Sequence, residues 1–126
     1  MRSVLLLLSL ALLATSTPAA ANDGSAEQFL RRAERLMGKG PFALADGDYK
    51  RLSREGEAAG LSIQREREAA EKAGKPILYC SPRAKAALGN MEFIRGLRAI
   101  PKAQRQRLPL RAAMLQVLQQ KYPCRR

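Results

Sequence analysis

Apolar side chains recur every three or four residues in four stretches of the chain, a spacing that places each set on one face of a helix. In the first stretch Ser25 is a suitable N-cap, Gln28 completes a capping-box pattern, and the run from Gly38 to Pro41 ends the helix. The predicted inward face of this first helix consists of Phe29, Leu30, Ala33, Leu36 and Met37.

The second stretch is the longest. It is predicted to start near Asp46 or Asp48 and to continue to about Ala73. Its stripe consists of Tyr49, Leu52, Gly56, Ala59, Ile63 and Ala70. Gly56 and Gly60 each cost about 1 kcal/mol of helix propensity. They permit two interpretations: a smooth strip that another helix approaches closely, or a kink or break between two shorter helices.

Two further amphipathic helices are predicted in the second half of the chain. The third spans about Asn90 to Ile100, with Asn90 as its N-cap, and Pro101 can open a fresh turn. The fourth begins at Pro109 and ends at Pro123. Their inward faces consist of Phe93, Ile94, Leu97 and Ile100 in the third helix, and of Leu110, Met114, Val117, Leu118 and Tyr122 in the fourth.

A short apolar run between two prolines, Ile77-Leu78-Tyr79-Cys80, precedes the third helix. It is predicted to be extended and buried, and to bring Cys80 into the core. Because one extended run cannot form a sheet, the predicted fold class is all-α. We expect a small domain of four to five helices packed in pairs.

Residues 1–21 have the features of a cleavable signal peptide. Arg2 supplies a positive charge, an apolar run extends from Val4 to Ala14, and Ala19-Ala20-Ala21 offers a cleavage site. The run is shorter than the roughly 20 residues that a membrane span needs. A buried N-terminal helix is the alternative interpretation. We therefore expect an exported protein whose mature part, residues 22–126, is a single domain.

Export leads to an oxidising compartment, where Cys80 and Cys124 allow one intramolecular disulfide across 43 intervening residues. Closing a loop of this length stabilises a fold by roughly 4 kcal/mol in the chain-entropy model. Two free thiols are the first alternative. A metal site is the second, but it is disfavoured because the chain has no histidine and two thiolates do not complete a zinc site. No cofactor is predicted.

Positive charge is concentrated in the second half of the chain. Residues 22–79 contain eleven Lys/Arg and ten Asp/Glu, whereas residues 80–126 contain eleven Lys/Arg and Glu92 as the single acid. The net charges are therefore +1 and +10. A field of this sign raises the rate of association with an acidic partner, and a solvated, solubilising surface is the simpler interpretation.

The composition argues against an enzyme. Without histidine no Ser-His or Cys-His pair can form, and the chain has no glycine-rich phosphate loop with its lysine. The lack of tryptophan and the small number of aromatic residues weaken a stacking platform for single-stranded nucleic acid. The sequence therefore indicates a protein that acts by binding, without a nucleic-acid partner.

One set of residues between Ile77 and Cys124 carries a resemblance to a known family. The set consists of Tyr79-Cys80-Ser81-Pro82, Phe93, Leu97, Pro101, Pro109, Ala113, Leu118 and Tyr122-Pro123-Cys124. It resembles the Rap/Tai-type immunity protein family, small exported helical proteins of Gram-negative bacteria. The resemblance implies a periplasmic location, often a homodimer, and a partner that is a peptidoglycan amidase delivered by type VI secretion. Cys80 and Cys124 correspond as structural residues, and no inhibitory residue is implied.

The sequence favours two hypotheses of function. In the first, the protein neutralises a cell-wall amidase toxin by occluding its active site, and its basic half steers it onto an acidic rim. The candidate contacts are Arg95, Arg98, Lys102 and Arg105, for which a solvated helix face is the alternative. In the second, a cationic envelope-associated protein binds anionic lipid or lipopolysaccharide peripherally. The second is weaker because the predicted core uses the apolar faces.

Overall fold

The computed structural model describes residues 24–82 and 88–125 of the chain. This part contains α1 (Ala26–Gly38), a 3₁₀ helix (Gly40–Ala45), α2 (Gly47–Lys72), α3 (Asn90–Ala99), α4 (Lys102–Arg105) and α5 (Leu110–Lys121). The described residues form no strand, and the prediction of a small all-α domain is confirmed. The predicted signal peptide lies outside the described residues and stays a prediction.

Local capping starts α1 where the sequence predicts it. The Ser25 Oγ accepts a hydrogen bond from the backbone N–H of Gln28 at 3.2 Å. The Gln28 side chain reaches back, and its Oε1 accepts from the N–H of Gly24 at 3.1 Å. Of the predicted inward face, Phe29 and Leu36 are buried, whereas Met37 is 41% exposed.

The long second helix, α2, is a single helix of 26 residues, so it is not divided into two shorter ones. A Cβ built on Gly56 would lie 3.7 Å from Phe29 Cζ, and one on Gly60 would lie 3.8 Å from Met114 Sδ. These are ordinary packing distances, so the neighbouring helices do not require glycine at either position. The glycine pair therefore marks neither a break nor an unusually close helix contact.

The close contact instead lies between α3 and α5, at Gly96. A Cβ there would lie 2.6 Å from Val117 Cγ1, a distance that no relaxed side chain tolerates. The prediction that Asn90 caps α3 is wrong by one residue. Gly89 is the N-cap, because its carbonyl accepts the first helical hydrogen bond, from the N–H of Phe93 at 2.8 Å.

One apolar core joins the helices, with Ile63 of α2 and Leu97 of α3 as its largest fully buried side chains. α2 packs on α1 and α5, and α3 packs on the same two helices. An antiparallel bridge between Ser25 and Pro109 ties the start of α1 to the start of α5. α2 and α3 have little direct contact with each other, so the surface between them is left open.

A disulfide joins Cys80 and Cys124, whose Cα atoms are 4.8 Å apart, as the sequence predicts. The prediction that Cys80 itself enters the core is wrong: Cys80 is half-buried and Cys124 is exposed. The neighbouring Tyr79 takes the core position and is 3% exposed. The guanidinium of Arg67 stacks 5.3 Å from its ring centroid, and Arg67 Nε donates to the Tyr79 carbonyl at 3.2 Å. The covalent link therefore lies at the surface, above a buried ring.

Candidate functional site

Exposed side chains lie along one face of α3, and a further exposed cation lies at the start of α4, after the extended residues Ile100 and Pro101. Met91, Arg95 and Arg98 lie on one face because they are four and three residues apart, and Lys102 follows at the start of α4. Arg98 Nε bonds Glu34 Oε1 of α1 at 2.8 Å. Arg95 and Lys102 are exposed and form no ion pair with a described residue. We call Met91, Arg95, Arg98 and Lys102 the α3 stripe.

The fourth residue predicted from the sequence as a contact, Arg105, is set apart from that stripe. Its side chain is 13% exposed, and its Nε bonds Glu27 Oε2 at 2.6 Å. Its Nη1 also donates to the carbonyls of Leu97, Arg98 and Ile100. The hydrogen bond from Arg105 Nε to the Glu27 carboxylate is the main reason that the pKa of Glu27 is lowered from its usual value. Arg105 therefore holds the corner between α3 and α4 in place.

A second cationic region, on α1 and the start of α2, is not predicted from the sequence. The side chains of Arg31, Arg35 and Arg51 are 66%, 62% and 65% exposed, whereas those of Glu27 and Asp48 are 11% and 9% exposed. Basic groups thus face solvent while their acidic partners are buried. A half of the chain with a net charge of +1 therefore presents a cationic surface.

Asp48 is the centre of this region. Arg32 Nη2 bonds Asp48 Oδ1 at 2.6 Å, Arg35 Nη2 bonds Asp48 Oδ2 at 2.9 Å, and Arg51 Nε lies 3.4 Å from Oδ1. Hydrogen bonding from Arg32 is the main cause that lowers the pKa of Asp48 to about 2, against the opposing effect of burial. Arg32 also forms two bonds of 2.9 Å with Glu55, and its own pKa is raised.

A polar depression of about 660 Å³ opens above this carboxylate. We call it the arginine depression. It is lined by Gln28, Arg31, Arg32, Arg35, Lys39, Asp46, Asp48 and Arg51. Residues sixteen apart in the chain, such as Arg32 and Asp48, meet here, so helical periodicity alone gives no sign of it. The one local sign is the acidic first turn of α2, where Asp46 Oδ1 accepts from the N–H of Asp48 at 2.8 Å.

An apolar groove of about 860 Å³ lies between α2 and α3, which have little direct contact with each other. Its inner surface includes Phe29, Gly56, Gly60 and Phe93, and Glu57 is the one charged residue among the described residues that line it. Its rim carries apolar side chains that are partly exposed, namely Met37, Tyr49, Leu61 and Met91. Met91 thus belongs both to the groove and to the α3 stripe.

The described residues hold no group of three or more His, Cys, Asp or Glu placed to bind a metal ion. None of the helices in residues 24–82 and 88–125 has the length and apolar character of a membrane span. No protein-family model, curated protein or solved structure matches the chain. The resemblance to the Rap/Tai-type immunity proteins therefore stays a prediction.

Proposed function

We propose that the protein is an exported, non-enzymatic binding protein of the immunity type, which neutralises a cell-wall amidase toxin in the periplasm. The observation that carries this proposal is the α3 stripe beside the apolar groove. Solvent-exposed cations and partly exposed apolar side chains meet there at Met91, which is 49% exposed. Protein interfaces commonly combine an apolar centre with a polar rim in this way.

Inhibition follows from occlusion of the amidase cleft. The apolar groove accepts an apolar side chain from the wall of the cleft, while Arg95 and Lys102 face an acidic rim. Long-range attraction by these cations raises the association rate, and burial in the groove slows dissociation. Arg105 contributes indirectly, since its bonds to Leu97, Arg98 and Ile100 hold α4 against α3.

Rigidity supports this mode of action. The disulfide ties Cys80, in the segment before α3, to Cys124, which follows α5. The N–H of Cys80 also donates to the carbonyl of Tyr122 at 2.9 Å. An inhibitor whose binding face is already ordered loses less conformational entropy when it binds.

Binding to purified exported peptidoglycan amidases tests the proposal, with association and dissociation rates measured at low salt and at about 0.15 M salt. We expect Arg95→Glu/Lys102→Glu to lower the association rate at least about tenfold at low salt. The matched control is Lys72→Glu/Lys75→Glu, an equal charge change at two exposed positions, one at the end of α2 and one three residues beyond it. If no amidase binds at micromolar concentration, or if both variants behave alike, the proposal is wrong.

A second candidate is an envelope-associated protein that binds anionic lipid or lipopolysaccharide. The 3₁₀ helix favours it, because Phe42 and Leu44 are 80% and 67% exposed there and Lys39 is adjacent. Sedimentation with anionic vesicles separates the two candidates. If Phe42→Ser/Leu44→Ser abolishes vesicle binding, and high salt does the same, the lipid function is supported. If native protein stays in solution at low salt, this candidate is eliminated.

A further inference from the structure

The arginine depression has a charge excess that the protein does not neutralise by itself. We propose that it binds a phosphate group: a phosphate monoester or a pyrophosphate, either free or carried by a lipid headgroup. Its lining shares no residue with the α3 stripe or the apolar groove, so the inference goes beyond the proposed function and does not depend on it.

The charge balance indicates the type of ligand. The lining contains five cationic side chains and two carboxylates, a net charge of +3. Glu55 also pairs with Arg32, and Glu27, which is shared with Arg105, pairs with Arg31, so between one and two positive charges are left over. A phosphate monoester carries about −1.5 to −2 at pH 7, which matches this excess. A carboxylate offers two acceptor oxygens to these donors, whereas a phosphate monoester offers three.

Hydrogen-bond donors are available for such a ligand. A guanidinium group has five N–H donors in a planar fork. Arg35 uses one of them on Asp48, at 2.9 Å, and the side chain is still 62% exposed. Arg51 touches Asp48 with Nε at 3.4 Å and is 65% exposed. Guanidinium groups bind phosphate oxygens in pairs, which gives geometric fit as well as charge attraction.

Asp48 preorganises the arginine side chains around it for binding an anion. Its buried carboxylate lies within 3.4 Å of nitrogen atoms from Arg32, Arg35 and Arg51, so three positive groups converge on one point. Like charges repel one another, and Asp48 and Glu55 together offset only part of the repulsion among three arginines. A dianion above Asp48 relieves the rest, and it binds without first having to gather the three side chains.

Calorimetric titration of the full-length, disulfide-bonded protein with pyrophosphate tests the inference, at low ionic strength and at about 0.15 M salt. The variant Arg35→Gln/Arg51→Gln removes the two exposed guanidinium groups but keeps Arg32 on Asp48. We expect its affinity for pyrophosphate to fall at least about tenfold. The matched control is Lys50→Gln/Arg54→Gln, two exposed residues of α2 outside the depression, and we expect a change below about twofold.

Thermal melts of both variants exclude loss of folding as the cause. Vesicles that contain phosphatidic acid, compared with phosphatidylglycerol vesicles of equal charge, then distinguish the source of the phosphate. Preference for phosphatidic acid that is lost with Arg35 and Arg51 indicates a lipid headgroup, and binding of pyrophosphate without that preference indicates a free ligand. If native protein does not bind pyrophosphate, or if both variants lose affinity equally, the inference is overturned.

Discussion

The two buried carboxylates Glu27 and Asp48 differ in how exposed their arginine partners are. Glu27 lies beside Arg105, whose side chain is 13% exposed and also bonds three backbone carbonyls. Asp48 is surrounded by three arginines, of which Arg35 and Arg51 are more than 60% exposed. At Glu27 the main partner, Arg105, directs its N–H groups to groups within the fold. At Asp48 the protein brings together more cationic groups than one carboxylate neutralises.

The difference shows which cations are available to a ligand. A guanidinium whose N–H groups donate to backbone carbonyls stabilises the fold and keeps few hydrogen-bond donors for a ligand. A guanidinium that makes one contact and stays exposed costs little to remove and can bind an external anion. Burial and the number of bonds therefore decide the role of each arginine, whereas the net charge of the chain does not.

The largest effect is expected from Arg105→Ala. This change leaves Glu27 buried without its main partner and frees three carbonyls at the corner between α3 and α4. We expect the free energy of unfolding to fall by about 3 kcal/mol, measured by urea denaturation. The control is Arg107→Ala, an exposed neighbour that forms no ion pair with a described residue, with an effect below about 0.5 kcal/mol. Equal effects of the two changes would refute the structural role of Arg105.

A smaller effect, dependent on pH, is expected from Asp48→Asn. The pKa of Asp48 is about 2 in the folded protein, below its usual 3.8, so its ionised form stabilises the fold above pH 3.8. That contribution is lost as the pH falls through the folded pKa. We expect the variant to lose about 2 kcal/mol at neutral pH and to show a flatter decline of stability between about pH 5 and 2.

The control for this titration is Glu57→Gln, which removes an exposed carboxylate of the same helix that forms no ion pair with a described residue. Its denaturation curves should follow those of the native protein from neutral to acid pH. If Asp48→Asn follows them too, the arginines around Asp48 contribute nothing to stability, and the contrast with Glu27 disappears.

Much of the helical fold could be predicted because its determinants are local. Ser25 caps α1, Pro109 precedes α5, and the apolar spacing of each helix places Leu97 and Val117 inside. The errors arise where tertiary contacts decide. Tyr79 takes the core position in place of Cys80, and Arg67, twelve residues earlier, stacks on its ring and bonds its carbonyl.

The candidate sites were less predictable than the helices. Arg95 and Arg98 are exposed on α3, but Ile100 and Pro101 are extended, so Lys102 does not continue the same helix. Arg105 turns inward to Glu27, 78 residues earlier. The arginine depression was missed because counting charges gives the buried Asp48 the same weight as an exposed arginine. Burial depends on how the helices pack. Here Asp48 is buried while its arginine partners Arg35 and Arg51 stay exposed, so a part of the chain with a net charge near zero presents a cationic surface.

The smallest effect on stability is expected from Arg35→Gln/Arg51→Gln, and it sharpens the comparison most. Arg32 keeps its bonds of 2.6 Å to Asp48 and 2.9 Å to Glu55, so the buried carboxylate stays paired. Removing two exposed, mutually repelling charges should change the free energy of unfolding by less than about 0.5 kcal/mol in urea denaturation. A loss above about 1.5 kcal/mol would mean that these arginines serve the fold as Arg105 does. A near-zero change, together with weaker pyrophosphate binding, would assign them to a ligand instead.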